Sequence, residues 1–238
     1  VCHFPSLEDA VLTAQQVIQY GVPIARIEML NADQMGISIN YSKLEDIKPV
    51  PTLFFEFHGS ESSNKENIKI VEELSKDNNG SSFKWAKDLA ERNKLWQARW
   101  DVYYSVKALH NDGRVYSTDV CVPISKITEC VNFAEEQAKK FGIRAPMVGH
   151  MGDGNFHVVL PYDPKKKEMY KQLRAFNDTL IRKALELNGT ITGEHGVGLH
   201  KKEYLLEQHP DNIPVMKSIK RTLDPNNIMN PGKIFDLN

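Results

Sequence analysis

The residues best placed to do chemistry are two histidines around a turn, in His150-Met-Gly-Asp153-Gly154-Asn-Phe-His157. Pro146, Gly149, Gly152 and Gly154 rule out a comfortable helix here. Asp153-Gly154 is a two-residue hairpin signal, because a type I′ turn needs φ > 0 at both central positions. With the turn there, Met151 faces Phe156 and His150 faces His157. Directly opposed residues share a sheet face, with Cβ atoms ~4.5–5.5 Å apart, so the two imidazoles could bind one metal ion. A one-residue slip would separate them.

A second constellation is Gly193-Glu194-His195-Gly196-Val-Gly198. Its glycines let the backbone pass close to a ligand. Glu194 can add an oxygen ligand to the two histidine nitrogens, a set that suits zinc with open coordination positions, or manganese or iron. His195 cannot easily share that ion and is free to act as a base near neutral pH. The plainer reading is a glycine-rich loop with a capping Glu before a Leu199–Leu206 helix. The stretch lacks the dinucleotide fingerprint, so NAD is not indicated. Arg99 lies in an aromatic helical stripe one turn from Trp96. It reads equally as an arginine snorkelling off an apolar face or as a carboxylate clamp.

The elements that must position these groups follow from periodicity. Val1–Phe4, Ile24–Leu30, Pro51–Phe57, Arg114–Val122, Ala145–Met151 and Asn155–Pro161 read as strands. Helices are expected after the cap Ser6, around Ile68–Leu74, from Trp85 to about Leu109, from Pro123 to Gly142, and from Asp163-Pro164 through Leu185. Leu223-Asp-Pro225 to Pro231-Gly232-Lys233 reads as a rigid, extended ending. Strand–helix–strand occurs twice with hairpins between, which predicts an α+β, ferredoxin-like fold: a mostly antiparallel sheet with helices on one face. The two halves are expected to repeat structurally, with a boundary near residues 80–113.

The 238 residues suffice for one large domain or two small ones. A formal net charge of −1 argues against nucleic acid or an anionic membrane as the main partner. Cys2, Cys121 and Cys130 form no Cys-x-x-Cys and read as free thiols. No apolar run reaches membrane-span length. The chain opens on a strand without Met and is expected to be cut from a longer one, so a missing targeting segment carries no weight.

Gly-His-Met-Gly-Asp-Gly-Asn-Phe-His, Thr-Gly-Glu-His-Gly-Val-Gly and Leu-Asp-Pro-x-x-x-x-Asn-Pro-Gly-Lys together resemble the C-terminal domain of FAD-linked oxidases, the vanillyl-alcohol-oxidase-like flavoproteins. Within that group Pro-Thr-Leu-Phe-Phe-Glu-Phe-His-Gly-Ser and Tyr-Ser-Thr-Asp-Val-Cys-Val-Pro-Ile-Ser are most similar to the mitochondrial D-lactate dehydrogenases. The resemblance implies a substrate and cap domain, residues 1–238, whose sheet covers a flavin held mainly by an N-terminal domain outside this sequence. It implies that residues 220–238 return to that domain, with Asn230 and Lys233 as cofactor contacts. By similarity to D-2-hydroxyglutarate dehydrogenases, it implies a divalent ion (zinc or manganese) on His150, His157 and Glu194, His195 as base, and Arg99 on the substrate carboxylate. Ser117 and Val159 stand where those relatives carry a lysine and an asparagine, which implies a monocarboxylate such as D-lactate. A cytochrome c-like electron acceptor and a mitochondrial location are implied in the same way. The other readings are glycolate or 2-hydroxyglutarate oxidation on the same plan, a zinc hydrolase using Glu194 or His195, and a non-catalytic domain with a structural metal.

Overall fold

Alternating burial along the strands decides the architecture. A computed structural model describes residues 1–44, 47–86, 88–110 and 113–237. The strands are β1 (Cys2–His3), β2 (Arg26–Leu30), β3 (Thr52–Glu56), β4 (Arg114–Ser117), β5 (Val120–Cys121), β6 (Met147–His150) and β7 (Asn155–Tyr162). They form one sheet in the order β1-β3-β2-β6-β7-β4, with β5 also on β7, and every pairing is antiparallel. In β2, Ile27 and Met29 point to one core while Leu30 points to another; in β7, Phe156 and Val158 oppose Val159 in the same way. Both faces of the sheet are therefore apolar over much of their area and both need cover.

Four of the expected helices lie together on one face: α1 (Leu7–Gln19), α3 (Glu61–Asp77), α6 (Ile127–Phe141) and α7 (Lys167–Glu186). They close the larger core with residues such as Ala14, Val71, Val131 and Phe176. A second set, α2 (Ala32–Ser42), α4 (Leu89–Trp100) and α5 (Val102–Lys107), packs Met35, Trp96 and Val106 onto the other face. That second face carries the chemistry described below. Two short helices, α8 (Lys202–Gln208) and α9 (Ile213–Leu223), follow the glycine-rich loop.

The expected repeat is visible in the pairing. In the first half a bridge at Ser81, β1, β3 and β2 lie side by side; in the second, a bridge at Thr190, β5, β7 and β6 do the same. The halves join where β2 pairs β6, with Glu28 opposite His150 and Leu30 opposite Val148. Asn31 staples this seam: its Oδ1 accepts from the Met147 and Gln34 N–H groups and its Nδ2 donates to the Ala145 carbonyl.

Several boundaries differ from the sequence reading. The long helix from Trp85 is two helices, α4 and α5, parted at Asp101, whose carboxylate accepts from Gln97 and Ser42 side chains. Its aromatic stripe is mostly solvent-facing, since Trp85, Trp100, Tyr103 and Tyr104 are exposed and Trp96 is buried. Lys87 and residues 111–112, within the expected helix and boundary, lie outside the described residues, as does Asn238 of the expected domain and its returning tail. Helix α7 starts at Lys167, because Asp163 forms a local turn by accepting the Lys165 N–H. Helices α2 and α9 were not anticipated: α2 has only a weak apolar stripe in Asp-Gln-Met-Gly-Ile-Ser. The tail after α9 is a chain of turns, with Asn227, Asn230, Gly232 and Ile234 at positive φ.

The hairpin register also differs. His150 pairs with Asn155 and Val148 with His157, around the loop Met151–Gly154. This is a slip of two residues, so side-chain parity survives and both histidines stay on one face, diagonal rather than opposed. Gly154 (φ +76°) explains the longer loop: a Cβ there would lie 2.1 Å from the Val122 carbonyl oxygen, whereas Gly152 faces open space. Gly154→Ala should therefore lower stability by roughly 1–3 kcal/mol through strain and clash. Gly152→Ala should stay within about 0.5 kcal/mol. Urea midpoints of the two variants, read against the parent, test the assignment; equal losses would put the loop elsewhere.

Candidate functional site

The site begins with an interruption in a strand. The register continues from β4 to β5, Ser117 opposite Val159 and Val120 opposite Phe156, but Thr118 and Asp119 do not complete the ladder. Thr118 Oγ1 accepts the Val158 N–H at 2.8 Å, in place of a backbone acceptor. The Thr118 carbonyl is thereby free to accept from His157 Nδ1 at 2.9 Å. That bond fixes the tautomer: with the proton on Nδ1, His157 Nε2 carries a lone pair.

His157 is buried, and its Nε2 has no hydrogen-bond partner among the described residues, although Glu194 Oε1 lies 3.0 Å away. Two electron-pair donors facing each other repel unless a cation or proton lies between them. His150 repeats the pattern. Its Nδ1 bonds Glu28 Oε1 at 2.8 Å and its Nε2 faces Glu194 Oε1 at 3.4 Å. The ligand atoms of His150, His157 and Glu194 lie within 4.8 Å of one another, so the three expected ligands converge. Such a donor set fits a divalent cation, with the second imidazole nitrogens fixed by a carbonyl and a carboxylate, as metal-ligating histidines usually are. Burial lowers the pKa of His157, favouring the neutral, ligating form, whereas the hydrogen bond to Glu28 raises that of His150 against its own burial.

His195 stacks flat on His157, ring centroids 4.7 Å apart at 12°. It is exposed, and its Nε2 lies 3.8 Å from Glu194 Oε1. Its position comes from Asp119, for which the sequence alone predicts no role. Asp119 is 1% exposed. Its carboxylate accepts from the Thr192 hydroxyl (2.5 Å), the N–H groups of Gly193 and His195 (3.0 Å each) and Glu194 (3.2 Å), and Lys201 Nζ (3.4 Å). Lys201 also donates to the carbonyls of Asp119 and Ile191. The loop can lie this close because Gly193 has no Cβ; one would sit 2.4 Å from the Asn155 amide carbon. Burial alone would raise the Asp119 pKa, but the Thr192 hydroxyl, the His195 N–H and Lys201 hold it well below the usual carboxylate range.

Arg99 is not at the site by itself. From α4 its Nε donates to Glu28 Oε2 at 2.8 Å, and among the described residues no other hydrogen bond or ion pair of its guanidinium is found. Glu28, 3% exposed, thus bridges Arg99 and His150, and the sequence reading missed it. The available signal was an acid in the middle of the strand Arg-Ile-Glu-Met-Leu, on the face that Leu30 buries. His150 and Arg99 outweigh the desolvation that opposes them and lower the Glu28 pKa. Asn230 and Lys233 are exposed in the tail, where the Ile234 N–H donates to the Gly198 carbonyl at 2.8 Å and anchors the tail on the glycine-rich loop.

Asp119→Asn should cost roughly 3 kcal/mol or more at pH 7, since it leaves converging donors without their charge. The sign with pH follows from the lowered pKa. The Asp119 contribution is complete above the unfolded carboxyl value of about 3.9 and is lost below it, as the unfolded chain takes up the proton first. The stability difference between parent and variant should therefore narrow from pH 5 to pH 2.5 in urea titrations; a constant difference would mean the carboxylate is not selectively stabilised by folding.

Residues 1–234 match the family model "FAD linked oxidases, C-terminal domain". The chain is 44% identical over 238 residues to a probable mitochondrial D-lactate dehydrogenase of Danio rerio, covering 100% of this chain and 48% of that protein. It is 35% identical over 236 residues to the mitochondrial D-lactate dehydrogenase [cytochrome] of Arabidopsis thaliana, covering 99% of this chain and 41% of the relative. The chain thus spans less than half of these relatives. Among solved structures, the 4-ethylphenol oxidase of Gulosibacter chungangensis superposes with a TM-score of 0.70 at 15% identity, over 99% of this chain and 53% of that one. p-Cresol methylhydroxylase gives 0.69 at 13% identity, over 99% and 52%. At such identities the structural likeness concerns the fold, and the sequence match assigns the family: the chain belongs to the C-terminal domains of FAD linked oxidases.

Proposed function

We propose that this chain is the substrate-binding half of a flavin-dependent D-2-hydroxy-acid dehydrogenase that oxidises D-lactate to pyruvate. The observation that carries the reading is the buried lone pair of His157 Nε2, which meets His150 Nε2 and Glu194 Oε1 with no donor between them, beside an exposed imidazole, His195. A divalent ion held by His150, His157 and Glu194 would supply Lewis-acid polarisation of a 2-hydroxy acid, and a flavin the hydride acceptor that no amino-acid side chain provides. The relatives named as mitochondrial D-lactate dehydrogenases support the substrate class, a cytochrome-type acceptor and a mitochondrial location.

The chain's own residues have separable roles. His195 takes the hydroxyl proton: its backbone N–H is held by Asp119 and its ring by the stack on His157, so the base is oriented before substrate arrives. Arg99 binds the substrate carboxylate with the guanidinium edge that Glu28 does not use. Ser117 and Val159 select for monocarboxylates. They are direct cross-strand partners on the face of His157, and neither a hydroxyl nor an isopropyl group can neutralise a second carboxylate. Residues 1–238 act as one substrate and cap domain. Its tail from residue 220, with Asn230 and Lys233, returns to the flavin-binding part of the protein, and Ile234 ties that tail to the glycine-rich loop at Gly198.

In the full-length protein, the His150→Ala, His157→Ala double variant should lose the divalent ion by elemental analysis; retention of one equivalent would place the ion elsewhere. His195→Ala should lower kcat by roughly 10²–10⁴ with flavin and metal still bound. Arg99→Ala should chiefly raise KM, and Arg99→Lys should recover only part, because lysine lacks the planar fork. The parent should show a higher kcat/KM for D-lactate than for D-2-hydroxyglutarate. The reverse order would mean that Ser117 and Val159 do not line the part of the pocket that reads the substrate's far end.

A further inference from the structure

Glu28 occupies a position that neither a core residue nor a metal ligand explains. It is the direct cross-strand partner of His150 at the seam between the two halves. Its two oxygens are divided between two elements: Oε1 meets His150 Nδ1 on β6, and Oε2 accepts from Arg99 Nε on α4. Helix α4 is itself held against this face by a row of contacts one or two turns apart. Arg92 Nη2 bonds Glu56 Oε1 at 2.8 Å, and Trp96 packs on Phe54 with centroids 5.8 Å apart. Arg26 lies over the Trp96 ring, its guanidinium carbon 5.3 Å from the centroid. Arg99 is the next residue of that row, so the placement of its guanidinium depends on where α4 docks and on Glu28.

A carboxylate 3% exposed is unfavourable unless its partners stay in place. Moving either partner therefore moves Glu28 and, through it, the other. We infer that Glu28 is a positioning residue that couples the substrate-carboxylate arginine, Arg99, to the metal-ligating imidazole of His150, so that occupancy of one tightens the other. This rests on the proposed function above, since it takes His150 as a ligand and Arg99 as the substrate clamp. Glu28 touches neither substrate nor ion. Its action is to fix the His150 ring through Nδ1, and with it the direction of the Nε2 lone pair, while setting the guanidinium plane of Arg99.

The test is a double-mutant cycle in the full-length holoenzyme, read as Mn²⁺ and Zn²⁺ affinity in chelator competition alongside KM for D-lactate. Glu28→Gln keeps the shape but replaces one of the two oxygens by an NH₂ group, so one of the two donors meets a donor in place of its acceptor. It should weaken ion binding by about 10–100-fold and raise KM. The decisive variant is Arg99→Ala, which removes a residue that contacts no ligand of the ion. It should weaken ion binding several-fold when Glu28 is present and add nothing in the Glu28→Gln background, the signature of a shared pathway. Unchanged ion affinity in Arg99→Ala, or losses that simply add, would overturn the coupling, and the Arg99→Ala result decides even if Glu28→Gln does not fold. A parent that binds neither ion would overturn the metal reading and the coupling together. A parent that binds one equivalent, with both variants binding it equally well, overturns the coupling alone.

Discussion

A carboxylate buried at the edge of a sheet has to be neutralised where it stands, and the Asp119 carboxylate is neutralised by the loop that holds the chemistry. Three consecutive backbone N–H groups, a hydroxyl and an ammonium converge on it. The loop from Thr192 to Gly198 has no strand or helix of its own, so without that charge its backbone donors have no common target. The same gap in the β4–β5 ladder that presents Asp119 releases the Thr118 carbonyl to fix the tautomer of His157. One local departure from regular pairing therefore places the loop, Glu194, His195 and the lone pair of His157 together.

The rest of the site depends on the two halves meeting. His157, Glu194 and His195 come from the second half, whereas Glu28 comes from the first and Arg99 from the segment between them. The β2–β6 pairing puts Glu28 opposite His150 and so closes the connection from α4 to the ligand cluster. The two buried acids hold their partners differently. Asp119 is bound mainly by backbone donors of one short loop, a rigid arrangement. Glu28 is bound by two side chains on separate elements, an adjustable one. In the coupling inferred above, the His150 side of the cluster is accordingly the side on which substrate binding would act.

Much of this was legible in the sequence for a simple reason. Side-chain parity in a strand is robust to the error that sequence reading most often makes with hairpins. The predicted pairing lies two residues from the observed register, yet His150 and His157 remain on one face because the period of a strand is two. Glu194 and His195 were readable because glycines mark a loop that must approach other backbone closely. Glu28 and Asp119 were not readable as site residues. Each is an acid in a strand, and only the three-dimensional pairing shows that one faces a histidine and an arginine and the other a ring of N–H groups. Helix α2 was missed because its apolar stripe is weak; its start is fixed by Asn31, whose side chain also serves the β2–β6 seam. The break at Asp101 follows from side-chain bonds to Gln97 and Ser42, one of them from a helix remote in sequence.

Charge balance links the proposed ion to the proposed substrate. In the contact network around the site, Glu28, Asp119 and Glu194 are set against Arg99 and Lys201, leaving one net negative charge when the imidazoles are neutral. Lone pairs of two imidazoles and a carboxylate converging at such a locus favour a cation. With a divalent cation in place, as proposed, the network would carry one net positive charge, which a single substrate carboxylate would neutralise. A second carboxylate would return the network to a net negative charge beside the uncharged Ser117 and Val159, leaving it to Arg174, which lines the cleft with Ser117 and His195, to receive that group. The monocarboxylate preference proposed above is thus tied to the same two buried acids that organise the site: each engages a cation, Lys201 for Asp119 and Arg99 in part for Glu28.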